Sequence, residues 1–220
     1  MSNDAVCVAG LDLDSRQTLR LNHPQPTRNL LDLLGGFVPG DVISVDCDPV
    51  VSPERPHVED AGWIPATAKK SRHAEPRELA ELVRDTALPS VEEAFGAPAL
   101  SSLRGNHAWT PGTGERSLAT VRVHYVRLRV AQTGIRVAFR DEGDEYWQSV
   151  PFQDLQARLH GQHCADCATN YLDLLRGDFD GNHLLIRIGL TRPYAPSDDE
   201  PPACWLQVTN ILGRQRAHFG

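Results

Sequence analysis

The sequence predicts a mostly-β protein with a few helices, an α+β chain that folds into two small β-barrels in tandem. Three observations carry this prediction. Apolar and polar residues alternate over short segments, turn residues separate those segments, and in each half a group of strands precedes an amphipathic helix. A chain of 220 residues is long enough for two small domains. We place the first barrel at residues 1–100 and the second at residues 115–220.

The first half consists of short strands and one helix. Alternating apolar residues predict strands at residues 6–8, 18–21, 41–46 and 58–64. Pro76 stands near the start of a predicted helix over residues 76–87, in which Leu79, Leu82 and Val83 have helical spacing. Residues 98–114 contain two Pro, three Gly and little periodicity. They are predicted to form the linker between the halves.

The second half begins with a long strand over residues 118–130, whose alternation changes phase at Tyr125 and Val126. Two consecutive apolar residues in an alternating strand predict a β-bulge. Further strands follow at residues 135–139 and 146–150, then a helix over residues 151–160 that carries Phe152, Leu155 and Leu159 on one face. The last two strands are predicted at residues 184–190 and 204–212. Three strands, a helix and two strands make up the order of an oligonucleotide-binding (OB) type barrel.

The whole pattern resembles the bacterial dual-OB domain family. The resemblance rests on the opening CVAGLDL, on VRVHYVRLRV leading to YWQSVPF, and on the late segment LLIRIGLTRPY followed by CWLQVTNI. It implies two OB-type barrels and a role in nucleic-acid binding, with no functional residues to carry over. The Cys-containing segment after the second predicted helix is longer here than the family pattern.

The strongest chemical feature is a basic strand pair. Six Arg and no acidic residue occur between Arg116 and Arg140. Guanidinium groups beside aromatic rings suit a single strand, because they contact phosphates while bases stack on the rings. The alternative is a solvated face that the acidic run at residues 141–145 neutralises, and the bulge leaves open whether all the Arg share one side. The predicted nucleic-acid-binding residues are Arg122, His124, Tyr125, Arg127, Arg129, Arg136, Arg140 and Trp147.

A cysteine pair with nearby histidines is the candidate metal site. His160, His163, Cys164 and Cys167 supply the thiolate and imidazole ligands that a tetrahedral Zn²⁺ takes. Adjacent His163 and Cys164 are sterically awkward as joint ligands, so free cysteines are the alternative. A redox role would need a βαβ context that the pattern lacks.

Other features narrow the class of protein. The sequence contains no nucleotide-binding, serine-hydrolase or zinc-protease motif, so no catalytic residues are predicted. No segment is apolar enough to span a membrane, no signal peptide is evident, and five cysteines are an odd number, which together predict a cytoplasmic protein with reduced thiols. The acidic pairs Asp46/Asp48 and Glu59/Asp60 are predicted to be solvated surface charges rather than metal ligands.

The leading hypothesis is a non-catalytic protein that binds nucleic acid, single-stranded in form, as an accessory to a separate enzyme. The alternative is a protein-interaction adaptor that docks a partner enzyme through the first half, where residues 1–110 carry 16 Asp and Glu against 10 Lys and Arg. A metal-dependent hydrolase without a recognised motif is the third class.

Overall fold

The computed structural model describes residues 5–50, 53–101, 106–131, 134–153 and 184–212. In the first half the strands are β1 (Val8–Leu11), β2 (Thr18–His23), β3 (Asp41–Ser44), β4 (Cys47–Pro49), β5 (Asp60–Trp63) and β6 (Lys69–His73). In the second half they are β7 (Leu100–Ser101), β8 (His107–Trp109), β9 (Leu118–Ala131), β10 (Gly134–Asp141), β11 (Tyr146–Pro151), β12 (Leu184–Leu190) and β13 (Cys204–Leu212). The helices are α1 (Arg28–Leu33), α2 (Pro76–Asp85) and α3 (Val91–Phe95), and a short 3₁₀ turn spans Pro65–Thr67. None of the helices in these residues is long and apolar enough to cross a membrane.

The second half forms an almost closed barrel. β9 pairs with β10 on one side and with β12 on the other, β10 pairs with β11, and β12 pairs with β13. The end of β11 then returns to β13, where Phe152 pairs with Val208 in parallel and the Gln153 amide donates to the Val208 carbonyl at 2.8 Å. This arrangement of β9 to β13 is the partly open, five-stranded barrel that the strand order predicts.

The barrel interior explains the alternation in the sequence. Along β10, Ile135, Val137 and Phe139 are buried, whereas Arg136 and Arg140 between and beyond them are partly exposed. Successive side chains of a strand point to opposite faces, so one face of β10 fills the core and the other meets solvent. The mostly-β, α+β fold class is therefore confirmed.

The first half repeats part of this strand order. β1 pairs with β2 antiparallel, β2 with β5 in parallel, and β5 with β4 antiparallel. In the second half, β10 pairs with β11 antiparallel, β11 contacts β13 in parallel, and β13 pairs with β12 antiparallel. Thus β1, β2, β5 and β4 correspond to β10, β11, β13 and β12. β6 pairs with β3, next to β4 in the chain, as β9 pairs with β12. However, β6 follows the other strands of its half, whereas β9 precedes the other four strands of the barrel in the second half. The two halves thus share part of their strand order with a cyclic shift.

Two sequence predictions, the linker over residues 98–114 and the start of the helix at residue 151, need correction. Part of the predicted linker over residues 98–114 forms β7 and β8, and β8 joins the second sheet through β13, with Trp109 fully buried. The helix predicted from residue 151 does not begin there, because Pro151 ends β11 and Phe152 closes the barrel. Residues 154–160 of that helix lie outside the described residues. The helix predicted over residues 76–87 is confirmed as α2, and the domain boundaries at residues 100 and 115 stay predictions.

Candidate nucleic-acid interface

The solvent-facing side of β9, β10 and β11 carries most of the predicted residues on one continuous surface, which we call the basic face. Residues that lie opposite each other on paired strands share a side of the sheet. Tyr125 lies opposite Arg140, and Arg140 lies opposite Tyr146. Two residues along, Arg127 lies opposite Ala138, and after two more Arg129 lies opposite Arg136. The side chains of three rows thus follow one another on the outside of the barrel.

A bulge in β9 aligns these rows. Val123 pairs with Asp141 and Tyr125 with Arg140, so His124 is the extra residue of β9. The bulge is confirmed, one residue earlier than the phase change indicates. His124 and Tyr125 are both exposed, and Val123 and Leu128 on either side remain buried. The bulge therefore keeps Arg122 on the same outer side of the barrel as Arg127 and Arg129, which answers the question that the sequence left open.

The charges of the basic face are balanced at one end. The Arg122 Nε donates to Glu142 at 2.7 Å and the Arg140 Nη1 to Asp144 at 3.0 Å, while the Nε2 of His124 lies 3.8 Å from Asp144. The acidic turn between β10 and β11 thus neutralises this end, as the alternative interpretation predicted.

Arg127 and Arg129 lie at the other end of the face. Both are exposed, and neither forms an ion pair within the described parts of the chain. Arg136 lies beside Arg129, and its Nη1 donates to the Ser149 carbonyl at 3.2 Å. The basic face therefore has a neutralised end near the turn and a cationic end away from it.

The exposed aromatic pair of the face is Tyr125 and Tyr146. Each is 41% exposed, their ring centroids lie 6.2 Å apart, and the Arg140 guanidinium lies 5.7 Å from the Tyr146 centroid. Tyr146 was not among the sequence-predicted site residues. The signal for it was the adjacent aromatic pair Tyr146-Trp147, of which a strand can bury only one member on a given side.

Trp147 is the buried member, and its assignment to the interface was wrong. It is 2% exposed and stacks between Trp109 and Phe139, at centroid distances of 6.1 and 6.4 Å. Its indole Nε1 donates to the buried carboxylate of Asp141 at 2.9 Å. A nucleic-acid base cannot reach this ring, because the ring is part of the barrel core.

The zinc prediction falls on residues that the structure does not describe. His160, His163, Cys164 and Cys167 all lie within residues 154–183, outside the described ranges. Within those ranges, His, Cys, Asp and Glu side chains form no group of three or more that could hold a metal ion. The zinc site stays a prediction.

A buried polar cluster that sequence reasoning missed connects the two halves of the chain. Asp60 accepts hydrogen bonds from the Arg20 Nε at 2.6 Å and the Asn22 Nδ2 at 3.0 Å, and it forms an ion pair with Arg192.

Next to Asp60 in the chain, Glu59 accepts hydrogen bonds from the Ser117 and Leu118 amides at 2.6 and 2.8 Å. Both carboxylates are buried, so the prediction that they are solvated surface charges was wrong. Their oxygens already hold donors from both halves, which leaves no reason to treat them as metal ligands.

His57 makes the same cluster sensitive to acid. It is 1% exposed, its Nδ1 lies 2.9 Å from Arg20 Nη2, and burial together with the cations Arg192 and Arg20 lowers its pKa to about 4. An unfolded chain binds a proton at this residue near pH 6.5, whereas the folded chain does not until about pH 4. We therefore expect the free energy of unfolding to fall as the pH is lowered through this window, by up to about 3 kcal/mol.

Urea denaturation at several pH values between 7 and 4 checks this expectation. The His57→Gln variant is the control, because Gln can still accept from Arg20 but does not titrate. Burial also lowers the pKa of His107, which acts in the same direction in both proteins, so the difference between them isolates His57. Parallel pH profiles for the two proteins would contradict the assignment.

Comparison with known proteins supports the fold. A family model described as the dual OB-containing domain matches residues 1–211. Searches of curated proteins and of solved structures found no match. The family resemblance that the sequence pattern indicated is thereby confirmed over nearly the whole chain. By this match, the chain belongs to the family of dual OB-containing domains.

Proposed function

We propose that the chain binds single-stranded nucleic acid on the basic face and acts without catalysis of its own, as an accessory to a separate enzyme. The observation that carries the proposal is the position of this face. It includes β10 and β11, the second and third strands of the barrel, and OB-type barrels use this face to bind oligonucleotides. The family match is compatible with this role.

The rows of the face suit an extended strand. They lie about 6.8 Å apart along β9, so three rows cover roughly 14 Å. Arg127, Arg129 and Arg136 would contact phosphates at the cationic end, and Tyr125 and Tyr146 would offer surfaces on which bases stack. Most of the affinity in such a site comes from phosphate contacts that release bound counterions, so binding should depend steeply on salt.

Replacement of Arg127 and Arg129 by Ala tests the proposal. Two lost phosphate contacts should lower the slope of log affinity against log salt by roughly 1.4 for a single strand, and weaken binding by about tenfold or more at low salt. The measurement is fluorescence anisotropy with a labelled oligothymidylate or oligouridylate of about 12 nucleotides, at several salt concentrations. Both side chains are exposed, so the fold and the melting temperature should not change.

The matched control is Arg28→Ala with Arg84→Ala. It removes the same charge from exposed positions on α1 and α2 and should leave the slope close to that of the unmodified protein. Equal loss in both double variants would mean attraction to net charge rather than a binding face. No binding by the intact protein at about 50 mM salt and tens of micromolar protein would contradict the proposal.

The second candidate is an adaptor that docks a protein partner through the first half. The observation in its favour is that Leu33, at the end of α1, is 85% exposed and Val38 nearby is 49% exposed. Contiguous patches of exposed apolar side chains mark protein-binding surfaces, and this candidate requires Leu33 and Val38 to belong to one such patch. A failure of the intact protein to bind either oligonucleotide would favour this function.

A further inference from the structure

We infer that Lys70 and His73, held side by side on β6 by the carboxylate of Asp41, form a phosphate-binding site on the first half of the chain. The ligand class is the phosphodiester backbone of a nucleic acid. The inference rests on the proposed function in that the same strand would be held at two places, on the basic face and on β6.

One buried carboxylate organises the site. The Oδ1 of Asp41 lies 2.8 Å from the Lys70 Nζ and 2.8 Å from the His73 Nδ1, while its Oδ2 accepts from the Val38 amide at 3.0 Å. Burial raises the pKa of Asp41, but the hydrogen bonds from Lys70, Val38 and His73 outweigh burial and lower it. The Asp41 side chain is 2% exposed, whereas those of Lys70 and His73 are 43% and 54% exposed. The anchor is therefore buried and the two groups that it holds face solvent.

The antiparallel pairing of β3 with β6 places the three residues for this contact. Asp41 lies opposite His73, and Ile43 opposite Lys70, with a bulge between Val42 and Ile43 that leaves Ser71 as the extra residue. The bulge brings Lys70 and His73, three residues apart, to the same carboxylate. Gly40 precedes Asp41 with φ +98°, and a Cβ there would lie 2.8 Å from the His73 Cε1. Gly40 thus provides the space in which the imidazole packs.

The charge of β6 is the second reason for assigning an anion. All five of its residues are exposed, and the only two Lys of the chain stand side by side in it, followed by Arg72. Arg72 forms an ion pair with Glu78 of α2, to which its Nη1 donates a hydrogen bond at 2.7 Å. Charged residues on an edge strand also discourage aggregation, and that role is sufficient for Lys69. Lys70 differs from Arg72 because Asp41 engages one of the three N–H donors of its ammonium group, whereas both oxygens of Glu78 accept from Arg72. Asp41 also holds Lys70 and His73 in place before a ligand arrives, which reduces the entropy lost on binding.

Lys69 and Lys70 form a matched pair for the test. Lys70→Gln should lower the salt slope for a labelled oligonucleotide of about 20 nucleotides by roughly 0.7 and weaken binding about fivefold to tenfold at 50 mM salt. Lys69→Gln removes the same charge from the next residue and should weaken binding by less than about twofold. Equal effects of the two variants would overturn the site, because they would show diffuse attraction to β6.

A variant of His73 tests the second member of the site. The His73 Nδ1 lies 2.8 Å from the Asp41 Oδ1, and the side chain is 54% exposed. His73→Gln should weaken binding of the same oligonucleotide at 50 mM salt by about twofold or more, because the ring no longer lies beside Lys70 on this carboxylate. An effect no larger than that of Lys69→Gln would overturn the role of His73.

Inorganic phosphate separates this inference from the proposed function. In NMR titrations of the full chain, millimolar phosphate should shift the ring resonances of His73 more than those of His124, and Lys70→Gln should abolish the difference. A shift at His73 without any oligonucleotide binding would support the phosphate site and contradict the proposed function. Oligonucleotide binding that depends on Arg127 and Arg129 but equally little on Lys69 and Lys70 would support the function and overturn the second site.

Discussion

Replacement of Asp60 by Ala is expected to lower the free energy of unfolding by about 3–5 kcal/mol. The change would leave the buried Arg20 without its carboxylate, remove the ion pair to Arg192 and take an acceptor from Asn22. Burial raises the pKa of Asp60, but the charges and hydrogen bonds of Arg20 and Arg192 outweigh it and lower the pKa, so the group is ionised at neutral pH. Urea denaturation monitored by tryptophan fluorescence measures the change, because Trp63 lies in the first half and Trp109, Trp147 and Trp205 lie in the second.

Asp48→Ala is the control for this variant. Asp48 is exposed on β4, and its loss should change the free energy of unfolding by no more than about 0.5 kcal/mol. Adding Arg20→Met to Asp60→Ala should recover part of the loss, because much of it comes from leaving a charge buried without a partner. An Asp60→Ala variant within about 1 kcal/mol of the unmodified protein would mean that the cluster does not stabilise the junction of the two halves.

Replacement of Asp141 by Ala is expected to destabilise the barrel by about 2–6 kcal/mol. This fully buried carboxylate accepts from the Trp147 Nε1 at 2.9 Å, from the Val91 amide at the start of α3 at 3.0 Å, and from the Glu145 amide at 3.1 Å. Each buried donor that loses its acceptor costs about 1–3 kcal/mol. Thermal and urea denaturation measure the loss, and near-ultraviolet circular dichroism reports on the packing of Trp147.

Glu145→Ala is the matched control in the same turn. Its side chain is exposed and carries the same charge, while its amide would still donate to Asp141, so an effect within about 0.5 kcal/mol is expected. Asp141→Asn keeps one acceptor oxygen and should fall between the two. If Asp141→Ala were no more destabilising than Glu145→Ala, the carboxylate would not be what fixes the β10–β11 turn to α3.

The residue types of Tyr146 and Trp147 could not by themselves show which of the two rings is buried and which is exposed on the basic face. Tyr146 and Trp147 are adjacent, and a shift of one residue in strand register exchanges the inner ring for the outer one. The register of β11 is fixed by its pairing with β10, where Phe139 lies opposite Trp147, and by the bond from Trp147 to Asp141. Asp141 stands within residues 141–145, a run whose sequence does not distinguish a buried carboxylate from the exposed ones. Which of its members is buried depends on the contact with α3, a contact between residues 50 positions apart.

The sequence by itself determined the strands of the barrel and the buried side of β10. A barrel interior excludes unpaired charge, so the strict alternation along β10 leaves only the outer side for Arg136 and Arg140. That Arg122 lies on the same side as Arg127 and Arg129 depends on the bulge at His124, which only the pairing of β9 with β10 showed. Only the tertiary structure showed that Asp60 is buried, because its partner Arg192 lies 132 residues away in the chain. Short-range periodicity reports on which side of a strand is buried, but it carries no information about which distant charge will meet a carboxylate there, and that pairing is what allows the carboxylate to be buried at all.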